Sequence, residues 1–199
     1  MTQTHTPLSP VLIYIHGFLS SPQSVKAQQT LDFLTVHYPD LVVDIPEVPN
    51  YPDLAIAALE SLVNKYQGHP LRFIGSSMGG FLSTYLVEKY GGRAVLINPA
   101  VKPYELLVDY LGEHVNPYTN KTFTLDESHI AQLLALDTPV VTSPSRYWAL
   151  LQTDDETLDY RQAEAKYANS KLTVEQGGDH SFQGFERYLP QICTFLFEN

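Results

Sequence analysis

Short apolar runs rich in β-branched residues recur along this 199-residue chain, each followed by a segment of helical period. That alternation narrows the choice of fold more than any other feature. The runs lie at Val11-Ile15, Leu41-Ile45, Leu71-Ile74, Arg93-Ile97, Tyr147-Gln152 and Lys171-Glu175. They are apolar at consecutive positions, so both faces of each strand need cover. Right-handed crossovers lay helices over both faces of a parallel sheet, which supplies it. The fold class is therefore α/β: a doubly wound, mostly parallel sheet of six strands in chain order 2-1-3-4-5-6, with the functional site at its carboxyl edge near the switch between strands 1 and 3. Helices are expected at Ser24-Tyr38, Asp53-Tyr66, Met78-Tyr90, Tyr104-Leu111, Asp126-Leu136, Asp159-Ala168 and Gly184-Phe197, several opened by Ser or Asp as N-caps.

Between Gly112 and Arg146 the alternation lapses into a polar, Pro-punctuated stretch with one helix, read as an insertion near residues 112-146 that covers the sheet as a wall or small lid. The Pro-rich segment Pro46-Pro52 follows a strand end and reads as a stiff loop at the same edge. No repeat or linker divides the chain, and 44% hydrophobic residues are ample for one core, so residues 1-199 are expected to form a single domain.

Charge excludes one class of partner. Twenty-two acidic against 12 basic side chains give a formal charge of -10, with no basic run to neutralise a phosphate backbone, so no nucleic-acid partner is expected. The first ten residues lack the basic start and apolar stretch of a secretory signal, and no apolar run is long enough to span a bilayer, so a cytoplasmic protein with no membrane partner is expected. The lone Cys193 fits a reducing compartment.

Chemistry enters at Gly75-Ser76-Ser77-Met78-Gly79. This G-x-S-x-G sits between an apolar strand and a helix carrying Phe81, Leu82, Tyr85 and Leu86, the setting of a nucleophile elbow. Gly75 and Gly79 leave room for neighbouring backbone, Ser77 projects above the sheet, and the Met78 amide at the helix start points toward an oxyanion. A bare G-x-S-x-G also occurs as a simple Gly-rich turn; the flanking elements favour the functional reading. After the first strand comes His16-Gly17-Phe18, where the Phe18 amide is the candidate second oxyanion donor. His16 and Gly17 are supporting residues, with the His16 side chain read as structural.

A serine hydroxyl needs a base within hydrogen-bond reach. Of the seven histidines, His180 alone lies in a short loop between the last strand and the last helix, where such a base belongs; His5, His37, His69, His114 and His129 read as solvated. The acid that orients the imidazole should follow Tyr147-Gln152, where Asp154 and Asp155 compete. The cadence of an acid followed by Glu and an apolar pair selects Asp155, with Asp154 the alternative and Asp159 a helix N-cap.

Other features have plainer explanations. Cys193 lies among Ile192, Phe195 and Leu196 as an inert core thiol, Tyr147 and Trp148 start a core strand, and neither a metal-ligand spacing nor a phosphate-binding loop is present, so no cofactor is expected.

The segments HGFLSSPQSVKA (16-27), GSSMGGF (75-81), NPAVKPYELLVDYLG (98-112), NPYT (116-119), DETLDYRQA (155-163) and GGDHSFQGFE (177-186) together resemble the YqiA-like esterases, small bacterial α/β hydrolases. The resemblance spans nearly the whole chain. It implies the α/β-hydrolase fold and an esterase acting on small-molecule acyl esters, with short acyl chains and acyl-CoA thioesters among the substrates. It also implies Ser77 as nucleophile, Asp155 as acid and His180 as base. The chain departs from the pattern by having Asp154 where a glycine would precede the acid. Acyl transfer, C-C bond cleavage and non-catalytic binding are the alternative activities for such a scaffold.

Overall fold

The computed structural model describes residues 8–198 and arranges six parallel strands in one sheet. In chain order these are β1 (Val11–Ile15), β2 (Val42–Asp44), β3 (Leu71–Ser76), β4 (Arg93–Ile97), β7 (Tyr147–Gln152) and β8 (Lys171–Glu175), and across the sheet they run β2-β1-β3-β4-β7-β8. This is the expected order. The register sets Ile15 beside Gly75 and Ser76 beside Ile97, so neighbouring strands finish at nearly the same level.

The two faces of the sheet explain why the strands are apolar at every position. Val11, Ile13 and Ile15 of β1 join a core beneath one layer of helices, whereas Leu12 and Tyr14 join the core on the opposite side. In the same way Tyr147, Ala149 and Leu151 of β7 face one layer, and Trp148 and Leu150 face the other. Each fully buried Leu, Ile or Val side chain contributes about 1.5–3 kcal/mol over leaving it in water, so an alternating polar pattern would forfeit one of the cores.

The first layer consists of α2 (Pro52–Lys65), α3 (Met78–Tyr90), α6 (Tyr160–Lys166) and the insertion; the second consists of α1 (Val25–His37) and α7 (Leu189–Phe197). Pro52 opens α2 at a position where its missing N–H would have had no helical partner. The expected helix over 104–111 is instead a single turn, α4 (Pro103–Leu106), continued as a 3-10 turn over Leu107–Tyr110. The last helix likewise begins as a 3-10 turn, Phe185–Tyr188.

The insertion holds more than one helix. An antiparallel hairpin, β5 (Gly112–Val115) with β6 (Thr122–Leu125), precedes α5 (Glu127–Ala135). Its second strand alternates exposed Thr122 and Thr124 with buried Phe123 and Leu125, a period-two signal contained in only four residues. Phe123 packs edge-on against Phe18 and Tyr51, which fixes the hairpin to the loop after β1.

Three of the histidines read as solvated are not: His69 is half-buried, edge-on to Tyr66 and bonded through Nδ1 to the Ser9 carbonyl. His129 is 13% exposed at its side chain, stacks on Tyr51 and accepts the Asp126 amide in a capping box that starts α5. His114 is half-buried and lies tilted against Phe123. Proximity to aromatic partners, invisible in a linear sequence, accounts for all three. His5 lies outside the described residues. Asp159 does cap α6, accepting from the Arg161 amide.

Candidate active site

Ser77 occupies the single residue between β3 and α3, with φ 54° and ψ −117°, a conformation that costs a non-glycine residue energy. Surrounding bonds hold it there. The Ser77 amide donates to the Ile97 carbonyl at 3.0 Å, and the Ser77 carbonyl accepts from the amides of Gly80 and Ala100 at 2.9 and 3.0 Å. The elbow also needs close backbone approach: a Cβ on Gly79 would lie 1.9 Å from the Ile15 carbonyl oxygen, and one on Gly75 would lie 2.4 Å from that of Gly79.

The sheet delivers the other groups to the same edge. His180, in the loop after β8, sets Nε2 3.1 Å from Ser77 Oγ. Its Nδ1 lies 2.9 Å from each carboxylate oxygen of Asp155, in the loop after β7. Asp155 is itself fixed, because its Oδ1 accepts the amides of Thr157 at 2.9 Å and Leu158 at 2.8 Å, and its side chain is only 1% exposed. Asp154 points away: it is exposed and its Oδ1 accepts from the Thr153 hydroxyl. The structure thus brings together Ser77, His180 and Asp155, and leaves Asp154 outside.

His16 and Gly17 follow β1. The His16 ring is buried; its Nε2 accepts the Val48 amide at 3.0 Å, which leaves Nδ1 to donate to the Gly17 carbonyl at 2.9 Å. Burial lowers its pKa, against the smaller raising effects of that carbonyl and Glu47. The imidazole ties the loop after β1 to the Pro-rich loop after β2. Phe18 and Met78 flank Ser77, and Met78 is the first residue of α3, where an amide has no intrahelical acceptor.

Two hollows meet at Ser77, Phe18 and His180. One, of about 200 Å³, is apolar and lined by Leu19, Met78, Ala100, Leu107, Tyr110 and Leu158. The other, of about 500 Å³, is an open groove along the His180 loop and carries Ser20, Lys26, Gln29, Tyr118, Glu156 and Glu186. Among the described residues no group of three or more His, Cys, Asp or Glu is disposed to hold a metal ion, and no helix is long and apolar enough to cross a membrane. Cys193 is buried far along α7, its thiol pushed up to about 11 by that burial.

With this geometry in view, comparison with known proteins decides the family. The uncharacterised protein family UPF0227 matches residues 11–197. The chain belongs to UPF0227, the YqiA family. The fold of this UPF0227 member recurs in solved α/β hydrolases of low sequence identity. Est1E from Butyrivibrio proteoclasticus is 12% identical with a TM-score of 0.74, over 98% of this chain and 90% of that one. A protein of Agrobacterium vitis S4, provisionally described as a hydrolase, is 18% identical with a TM-score of 0.74, over 94% and 88% of the two chains. Mouse alpha/beta hydrolase domain-containing protein 10 is 18% identical with a TM-score of 0.68, over 95% and 89%.

Asn98 and Gln152, buried polar residues at the ends of β4 and β7 in this UPF0227 fold, belong to no catalytic motif in the sequence. A signal existed for the first. Asn98-Pro99 directly after an apolar strand marks a turn at the sheet's carboxyl edge. For Gln152 the strand pattern offered nothing, since only the folded chain shows which loop it faces.

Proposed function

We propose that this protein is a serine hydrolase of acyl esters, with Ser77 as nucleophile, His180 as general base and acid, and Asp155 as the group that orients the imidazole. One observation carries the reading: Ser77 Oγ, on a strained turn, stands 3.1 Å from an imidazole nitrogen whose partner nitrogen is held by a buried carboxylate. Removing the Ser77 proton to Nε2 frees the oxygen to attack an acyl carbon. The resulting oxyanion is assigned to the amides of Phe18, in the loop after β1, and Met78, at the start of α3. His180 then gives its proton to the departing alcohol or thiol, leaving an acyl group on Ser77. Water, activated by the same nitrogen, releases the acid and restores the hydroxyl.

The two hollows divide the substrate between them. The polar groove beside the 181–186 loop takes the leaving group, and the apolar hollow against Leu107, Tyr110 and Leu158 takes the acyl group, as their linings match the two halves of an ester. About 200 Å³ suits a short acyl chain. The same chemistry serves oxygen esters and thioesters, including acyl-CoA, because both pass through a tetrahedral oxyanion. No cofactor is required by it. Neighbours of the same fold carry names consistent with this reading, among them a metagenome-derived lipolytic enzyme. The expected setting is the cytoplasm, where a lone buried thiol such as Cys193 stays reduced.

A fluorophosphonate probe tests the proposal. Labelling of the parent protein at Ser77, together with a fall in kcat on p-nitrophenyl butyrate of about 10⁴-fold or more in Ser77→Ala, is the expected result. A folded parent protein that resists labelling, or a Ser77→Ala variant of undiminished activity, would refute it.

A further inference from the structure

Resting on that reading, we propose that Asn98 is a positioning residue for hydrolysis, holding the loop that bears His180 in register with the elbow that bears Ser77. Asn98 directly follows β4, is 3% exposed and takes φ 39°, a left-handed conformation that asparagine tolerates better than most residues. Its amide is used at both ends. Oδ1 accepts the Gln152 amide at 3.0 Å, while Nδ2 donates to the carbonyls of Asp179 at 3.0 Å and His180 at 3.2 Å. The acceptors and donor around it leave one orientation of the amide that satisfies every partner.

The register argument comes from what lies on either side. The carbonyl of Ile97 accepts the Ser77 amide, and the amide of Ala100 donates to the Ser77 carbonyl. Residues 97–100 are therefore bonded to Ser77 through their backbone and to residues 179 and 180 through the Asn98 side chain. This single segment spans the gap between nucleophile and base. A change in its length or direction moves Ser77 Oγ and His180 Nε2 relative to each other.

The other hydrogen bonds to the backbone of the His180 loop come from elsewhere. Gln152 Oε1 accepts the amides of Asp179 and Gln183 while its Nε2 donates to the Gln183 carbonyl, Glu156 accepts the His180 amide, and Lys26 Nζ donates to the Ser181 carbonyl. They attach the loop backbone to β7, the Asp155 loop and α1, so apart from Asn98 only the His180 ring itself, at Ser77 Oγ, reaches the elbow. Removing the Asn98 amide consequently leaves the loop attached but loosens its backbone against Ser77. Near-attack geometry is sensitive to such freedom, since a displacement of about 1 Å can cost on the order of 100-fold in rate.

Two variants test this. Asn98→Asp keeps the side-chain shape and the acceptor for Gln152 but turns an oxygen toward two carbonyl oxygens; Asn98→Ala removes the polar group. Both are expected to lower kcat on p-nitrophenyl butyrate by about 10- to 100-fold and to slow fluorophosphonate labelling of Ser77 similarly, with KM within about twofold of the parent. Rates are expressed per phosphonate-titratable site, so partial unfolding does not count against a variant. Since Asn98→Asp preserves packing volume, a loss in both variants points to the amide donors. A kcat within about twofold of the parent, whatever the melting temperature, would overturn the proposal. So would failure of both variants to fold, which would make Asn98 a determinant of the fold alone. A parent protein that is not labelled at Ser77 would instead sink the hydrolase reading, and this inference with it.

Discussion

The carboxylate of Asp155 straddles Nδ1 of His180, with each of its oxygens 2.9 Å from that nitrogen. Because Oδ1 also accepts two backbone amides, the carboxylate cannot rotate away without abandoning them. An uncharged amide in its place would present an N–H toward Nδ1 and favour the wrong tautomer of the ring. Asp155→Asn should therefore lower kcat by about 10⁴-fold, whereas Asp154→Asn, at an exposed side chain bonded to the Thr153 hydroxyl, should change it by less than about threefold. Steady-state kinetics of the pair decide between the two acids, and a severe Asp154 variant beside a mild Asp155 one would reverse the assignment.

His16 makes stability depend on pH. Burial depresses its pKa below the ordinary 6.5, so as pH falls the unfolded chain takes up this proton before the folded chain does. The stabilisation is fully present above the ordinary value and is lost progressively below it, until the folded ring itself is protonated and Nε2 can no longer accept the Val48 amide. Melting temperature should fall between pH 7 and about pH 5, and His16→Gln, which offers an amide oxygen to Val48 without titrating, should flatten that fall. Thermal scans of both proteins across the range would reveal identical slopes if His16 were not responsible.

Acyl selectivity should respond to Leu158. Its side chain lines the apolar hollow while its amide serves Asp155. Leu158→Trp fills the hollow without touching that amide, so kcat/KM for p-nitrophenyl octanoate should drop about 10-fold or more relative to the acetate. A chain-length series on the variant reads this out directly, and an unchanged ratio would mean that the acyl group lies elsewhere.

Gly79→Ala should be costly for the fold. The added methyl would meet the Ile15 carbonyl at 1.9 Å, a backbone atom that cannot step aside without parting β1 from α3. Overpacking of this kind costs about 3 kcal/mol or more at a rigid contact, measurable as a shift of the urea midpoint.

Much of this arrangement was legible in the linear sequence because parallel strands that are covered on both faces carry unbroken apolar runs. Val11-Ile15 and Tyr147-Gln152 announced themselves in that way, and chain order then fixed which loops end at the same edge. Ser77 could be read from the glycines its turn demands, and His180 from its place after the last strand. In the sequence, Asp155 is preferred to Asp154 by cadence and by the family resemblance; what separates them in space is the pair of amides from Thr157 and Leu158. The hairpin Gly112–Leu125 was missed because its inward residues are few and its outward ones polar. Asn98 and Gln152 were missed for another reason: a buried amide is recognisable only by the distant backbone it satisfies.

The backbone bend at Ser77 has an evolutionary corollary. A residue kept at φ 54° and ψ −117° lowers the stability of the chain that carries it, so the geometry persists only while selection for turnover opposes relaxation. Lineages that lose the reaction should drift to glycine at this position early, gaining robustness as they fall silent.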